Sequence, residues 1–302
     1  MKQRLITGIG YVAVIIGFFL LKIYLPDQPL SGGGVILWGD LSFDLLLYVF
    51  SIIGTYEMIR ALGDRLTKSQ RVVAQLFSIV FIPAYDISTY VFNYDRLTVM
   101  GVSFFAASVV LCSLLVLQYE KTSLESVGCA LLACVYPTVI IGVMVLCNHF
   151  PEHSVLAMLF IFVISPCADS LAYVFGMLLG KKFPQKMAPD ISPKKTVVGG
   201  IGGVVGGVLG AIILFFAYNL VTVGTAIPYE QLPVYILIGA GAALFTEFGD
   251  LVESAIKRKQ DIKDMGKILP GHGGILDRID GTMYTAVLIY AVFYVLLRIN
   301  VF

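Results

Sequence analysis

"MKQRLITGIGYVAVIIGFFLLKIYL", residues 1–25, sets two cations, Lys2 and Arg4, before an apolar run over 6–25 whose one charge is Lys22. An α-helix rises 1.5 Å per residue, so about 20 such residues cross the roughly 30 Å hydrocarbon core of a bilayer. A signal peptide has a shorter apolar region and a small-residue cleavage site, and no A-x-A follows here. The stretch is therefore expected to be a retained first membrane span.

Runs of the same kind recur along all 302 residues. Charged residues make up 14% of the chain, against about 25% in an ordinary soluble domain. The mean hydropathy is +0.88. The fold class that follows is all-α, a polytopic integral membrane protein with about nine transmembrane helices. The expected spans are 6–25, 43–62, 72–92, 98–118, 126–147, 155–179, 199–222, 233–250 and 282–299. Pro83 and Asp86 interrupt the third, which leaves a kink or a partly re-entrant segment open.

The net charge of +1 excludes little, but the distribution of charge is informative. With the N-terminus cytoplasmic, one face collects residues 1–5 and the loops 60–71, 119–125, 180–198 and 251–281. These carry 18 of the 21 Lys and Arg, while the other face keeps Lys22, Arg96 and Arg298. Such a split is the positive-inside pattern. It predicts a cytoplasmic N-terminus, an external C-terminus and location in the cell (inner) membrane. The polar loops 180–198 and 251–281 then both face the cytoplasm, and no nucleic-acid partner is expected.

Other features are structural in this reading. The five cysteines lie in apolar runs without paired metal-ligand spacing, as packing residues do. Residues 199–211, "GGIGGVVGGVLGA", carry glycines at GxxxG spacing, which lets helices approach closely in lipid.

Four polar pieces stand apart. Asp169 lies mid-span in "SPCADSLAYVFG", where a carboxylate needs a protein, water or cation partner. "APDISPKKTVVGG", 188–200, cannot be helical throughout because of Pro189 and Pro193, and it sets Lys194 beside Lys195. This pair is either a topology signal or a phosphate-binding element. "TEFGDLVESAIKRK", 246–259, is expected to continue as a helix with Asp250, Ser254, Lys257 and Arg258 on one face. "PGHGGILDRID", 270–280, makes a glycine turn around His272 whose N–H groups could face an anion. Asp277 and Asp280 follow one turn apart. Asp250 ends one span and Asp277 and Asp280 begin the next, so all three share a membrane depth. Converging carboxylates call for a hard cation, and oxygen ligands alone suit Mg²⁺ with substrate phosphates.

The run "SAIKRKQDIKDMGKILPGHGGILDRID", 254–280, closely resembles the defining pattern of the phosphatidate cytidylyltransferases, or CDP-diacylglycerol synthases. Ser254, Lys257, Arg258, Lys263, Asp264, Pro270, His272, Gly273, Gly274, Asp277, Arg278 and Asp280 match it. "ADSLAYVFG", "ISPKKT" and "FGDLVES" are similar to the family's other motifs, in the same order. Val197-Val198, Glu247 and Ser170 depart from the usual Trp-Glu, Gln and Thr.

The resemblance implies transfer of a cytidylyl group from CTP to phosphatidate, giving CDP-diacylglycerol and pyrophosphate. It implies Mg²⁺ at Asp250, Asp277 and Asp280, with K⁺ as a second, monovalent ion, and a homodimer in the bilayer. Lys263 and Asp264 join the three aspartates as catalytic candidates. Lys194, Lys195, Ser254, Lys257, Arg258, His272, Gly273, Gly274, Arg278 and Asp169 are candidates for substrate binding. The chain then divides into N-terminal membrane helices without motifs, 1–150, and a catalytic region, 151–302. A CTP-dependent transferase for another lipid phosphate is the near alternative. A transporter using Asp169, Asp86 and the glycine-rich span is the remoter one.

Overall fold

The computed structural model describes residues 2–29, 35–92, 95–151, 153–221, 227–271 and 273–299. Among these, nine helical stretches are long and apolar enough to cross a membrane, which makes the chain a polytopic all-α membrane protein. The helices are α1 (Lys2–Tyr24), α2 (Trp38–Leu62), α3 (Lys68–Phe92), α4 (Arg96–Leu117), α5 (Leu124–Ala133), α6 (Ile140–Asn148), α7 (Ser154–Leu179), α8 (Val197–Val221), α9 (Leu232–Lys259) and α10 (Leu276–Arg298). A π-helical stretch, Cys134–Val139, joins α5 to α6 within one span. It contains Pro137, whose missing N–H breaks the ordinary helical ladder.

The third span is one unbroken helix. Pro83 lies inside α3, which runs the full length from Lys68 to Phe92, so neither a re-entrant loop nor a helix end forms there. Similarly, the eighth span and the juxtamembrane stretch expected after it form the single helix α9, with Pro233 in its first turn.

The chain folds into two compact units, Met1–His149 with Ile262–Arg278, and Phe150–Asp261 with Ile279–Phe302. In the first, α2 is central and packs on α1, α3 and α6. Phe43 meets Phe18 and Phe19 edge-on. Ser51 and Thr55 on α2 bond the Thr138 hydroxyl at 3.1 and 2.8 Å, so these buried hydroxyls are satisfied inside the bundle. The large apolar residues of α1 and α4, such as Ile9, Val12, Val102 and Phe105, point outward, as lipid-facing surfaces do.

In the second unit α8 lies against both α7 and α9. The GxxxG glycines make this possible. A Cβ on Gly206 would collide with the α7 backbone at Cys167, and one on Gly207 with the α9 backbone at Gly239. Besides a first strand pair, β1 (Gln28–Pro29) and β2 (Val35–Ile36), the chain forms between α7 and α8 a short antiparallel hairpin, β3 (Lys186–Ala188) and β4 (Ser192–Thr196), with Lys186 opposite Thr196. Pro189 sits in its turn and Pro193 in β4, so the segment is non-helical as expected. Thr196 caps α8, its Oγ1 accepting from the Gly199 N–H at 3.1 Å.

Gly207→Leu is expected to force α8 from α9 and cost about 1–3 kcal/mol. Gly10→Leu, where a Cβ meets nothing within 4 Å, serves as the control. Thermal unfolding in detergent, followed by size exclusion, should show a clear loss for the first variant alone.

Candidate functional site

A cavity of about 480 Å³ lies in the second unit, lined by residues of α7, the hairpin, α8 and α9. Asp169 reaches it from α7, Lys194 and Lys195 from β4, and Glu247 and Asp250 from α9. The Lys195 ammonium pairs with Asp250 Oδ2 at 2.6 Å. The hairpin that carries these lysines is tied to α9, since Arg258 Nε donates to the Ile191 carbonyl at 3.2 Å. The adjacent lysines are therefore held by tertiary contacts rather than displayed loosely at an interface.

Glu247 is buried, and its Oε1 has no hydrogen-bond partner among the described residues. Gly200 and Gly203 on α8 leave the room it occupies, for a Cβ on either would run into the carboxylate. Asp280 lies on α10, with its Oδ1 accepting from the Gly281 N–H at 2.8 Å. A Cβ on Gly249 would strike the Asp280 carbonyl, so that glycine lets α9 and α10 close up at this level. Asp280 and Asp250 are near enough to repel each other, and both bear on Asp169. Against this group stands the Lys195 ammonium. An acid-rich, oxygen-only donor set containing a buried carboxylate oxygen without a donor fits a hard divalent cation.

The polar face expected on α9 is only partly free. Ser254 Oγ donates to Asp250 Oδ1 at 3.3 Å, so those two share a face. Lys257 instead pairs with Glu253, a wholly buried acid one turn back, and Arg258 holds the hairpin. Glu253 also bonds Asp280. Neither Lys257 nor Arg258 lines the cavity itself.

The stretch "PGHGGILDRID" sits in the first unit up to Arg278. Gly271 and Gly273 adopt φ of 80° and 88°, a conformation that side-chain-bearing residues rarely take. His272 lies outside the described residues. The turn's N–H groups could face an anion, and in the structure the chain's own carboxylates take several of them. Asp277 Oδ2 accepts from the N–H groups of Gly274 and Met265 at 2.7 and 3.0 Å. Glu57, on α2, accepts from the N–H groups of Ile275 and Leu276 at 3.1 and 3.0 Å. The two carboxylates thus satisfy the orphan donors at the start of α10. Gly266 and Gly274 pack flat on the Glu57 carboxylate, where a Cβ would not fit. Asp280 follows Asp277 by one helical turn, about 4.5 Å along the axis.

Lys263 and Asp264, with Arg60 and Lys267, line a surface notch of about 360 Å³ in the first unit. Arg278 is exposed. In the sequence Glu57 shows only as an acid near the end of an apolar span, with no sign of its partners.

Residues 30–296 match the model of the Cytidylyltransferase family. A phosphatidate cytidylyltransferase of Bacillus subtilis (strain 168) is 32% identical over 290 residues, covering 96% of each chain. One from Staphylococcus saprophyticus is 30% identical over 94% of this chain and 95% of the relative. One from Staphylococcus aureus (strain COL) reaches 42% identity over 130 residues, 42% of this chain and 44% of the relative.

Glu57→Ala leaves two N–H groups at the start of α10 without acceptors, at a cost of about 1–3 kcal/mol each. Hydrogen exchange at Ile275 and Leu276 should rise at least tenfold while the chain still inserts, and Glu57→Gln should lie between. Unchanged exchange in Glu57→Ala would remove the capping role.

Proposed function

Because this chain belongs to the cytidylyltransferase family, we propose that the cavity beside Asp169, Lys195 and Asp250 is where a cytidylyl group passes from CTP to phosphatidate. The reaction is a nucleotidyl transfer that yields CDP-diacylglycerol and pyrophosphate in the membrane. A phosphatidate phosphate oxygen attacks the α-phosphorus of CTP, a new P–O bond forms, and the bond to pyrophosphate breaks.

Charge is the main obstacle. Two unit charges 4 Å apart repel by about 4 kcal/mol at an effective dielectric near 20, and both reactants carry several. The nucleophile is ionised at neutral pH, so no general base has to be supplied. His272 therefore has no proton to remove in this reading.

A bound divalent ion, Mg²⁺ in this proposal, would neutralise and align the two phosphates. Asp250 and Asp280 would hold it, with Asp277 one turn before Asp280 on the same helix. Asp169 would serve the second, monovalent ion, K⁺, or keep Lys194 and Lys195 in order. Lys195 is already locked on Asp250, and this pairing holds the ammonium where an incoming phosphate would meet it. Lys194, beside it on β4, adds a second cation for the leaving pyrophosphate. Lys263 and Lys267, with Arg60, give the first unit a cationic notch suited to a phosphate group. The hydrocarbon-facing helices leave phosphatidate in the bilayer while CTP enters from water.

The concentration of 18 of the 21 cations in one set of loops supports a cytoplasmic site in the inner membrane. The homodimer is carried by the family likeness alone. The single observation behind the reading is the group of acids on α7 and α9, Asp169, Glu247 and Asp250, that lines one cavity with Lys195.

Purified protein given labelled CTP and phosphatidate should make lipid-soluble label, and EDTA should abolish it. Asp280→Asn should lower turnover at least a thousandfold with insertion intact; wild-type turnover would remove the metal role of that residue. Lys194→Ala with Lys195→Ala should raise the apparent KM for CTP or phosphatidate about tenfold or more. An unchanged KM for both would return the pair to a topology role.

A further inference from the structure

A second polar cluster, outside the reaction described above, lies in the first unit where α1, α2, α3, α4 and α6 end or begin. These are the ends of α2 and α3 remote from Arg60 and Lys68. Asp40 is already matched, pairing with the Lys22 ammonium. Lys22 also donates to the Asn148 carbonyl at 3.0 Å. Asn148 Nδ2 donates to Asp44 Oδ1 at 2.8 Å and to the Asp40 carbonyl at 2.9 Å. His149, its side chain 1% exposed, sets Nε2 2.5 Å from Asp44 Oδ2. One ligand atom each from Asp44, Asp86 and His149 lie within 4.8 Å of one another.

Among the described residues, two buried acceptor oxygens here find no hydrogen-bond donor, Asp86 Oδ1 and Asn148 Oδ1, and His149 Nδ1 makes no hydrogen bond. Asn148 is itself fully buried, and its amide is anchored on Asp44. The nearby cation, Arg96, lies over the rings of Tyr85 and Tyr90 at 5.7 and 5.8 Å, and its Nε makes no hydrogen bond among the described residues. Buried acceptor oxygens next to two carboxylates and an imidazole suit a positive ligand.

We propose that Asp44, Asp86 and His149 bind a divalent transition-metal ion of the zinc type. One imidazole nitrogen and two carboxylate oxygens form a Zn²⁺ donor set, with bonds of about 2.0–2.2 Å. An all-oxygen set would favour Mg²⁺ instead. With Nε2 on the metal, Nδ1–H faces Asp40 Oδ2, 3.5 Å away, the partner that orients a metal-binding histidine. The ligands come from α2, α3 and the residue after α6, so the ion ties three helix ends together. It is separate from the divalent ion of the transfer reaction in both residues and ligand type.

The test uses the full-length protein in detergent. It is stripped with a chelator, re-equilibrated with Zn²⁺ and washed with excess Mg²⁺. One zinc per chain should resist the wash, and Zn²⁺ should raise the Tm. Co²⁺ in its place should give a visible absorption band. Asp86→Asn and His149→Gln should each retain less than a tenth of the zinc and lose the Tm shift, yet keep Mg²⁺-supported cytidylyl transfer. Absence of Mg²⁺-resistant zinc in the wild type overturns the proposal, as does full zinc retention by both variants. If a variant fails to fold, the wild-type stoichiometry and the Co²⁺ band decide the matter alone. Both readouts are independent of whether the transfer assay succeeds.

Discussion

An ionised group surrounded by hydrocarbon and packed side chains needs a donor or an opposite charge close by. That constraint organises this molecule. Glu57 takes two backbone N–H groups, Asp277 takes two more, Glu253 has Lys257, Asp250 has Lys195 and Asp40 has Lys22. Each pairing also joins segments or fixes a turn. Glu57 links α2 to the start of α10, Lys195 links the hairpin to α9, and Lys22 links α1 to α2. Among the described residues, the buried Glu247 Oε1 and Asp86 Oδ1 have no hydrogen-bond donor. Each lies in one of the two clusters for which a cation is proposed.

Glycine is what brings these acids into place. Along α8 it removes the Cβ atoms that would keep α7 and α9 away, and the same face makes room for the Glu247 carboxylate. In the loop before α10 it lets backbone lie flat on Glu57 and supplies the left-handed turn that aims N–H groups inward. The glycines of 270–274 thus build the start of α10 by receiving the chain's own anions. A phosphate-binding role for these N–H groups would have to share them with Asp277 and Glu57. For a reaction between two polyanions this arrangement is useful. It fixes the helix carrying Asp277 and Asp280 without drawing on the cations that the substrates need.

The hydropathy pattern carried the fold class because a bilayer allows few structures: backbone groups must bond internally, and about 20 residues are needed per crossing. Helix continuity was harder to read. Pro83 and Asp86 left a kink or a partly re-entrant segment open in the third span; α3 runs through both, which removes the re-entrant option, and the polar cluster receives Asp86. The fates of Lys257 and Arg258 were also invisible. Helical spacing put them on the face of Asp250 and Ser254, while their long side chains turned to Glu253 and Ile191. Glu57 escaped notice because its partners lie 218 and 219 residues away.

By itself the sequence determined a nine-span helical membrane chain, its charge asymmetry, its glycine packing face and the motif that resembles the cytidylyltransferases. These properties are local or additive: run length, composition, and the order of residues along one segment. Only the tertiary structure decided which acid meets which cation, which N–H groups are already taken, and that Asp44, Asp86 and His149 converge. Side chains from helices far apart in sequence find each other through packing, and a one-dimensional pattern carries no record of those distances.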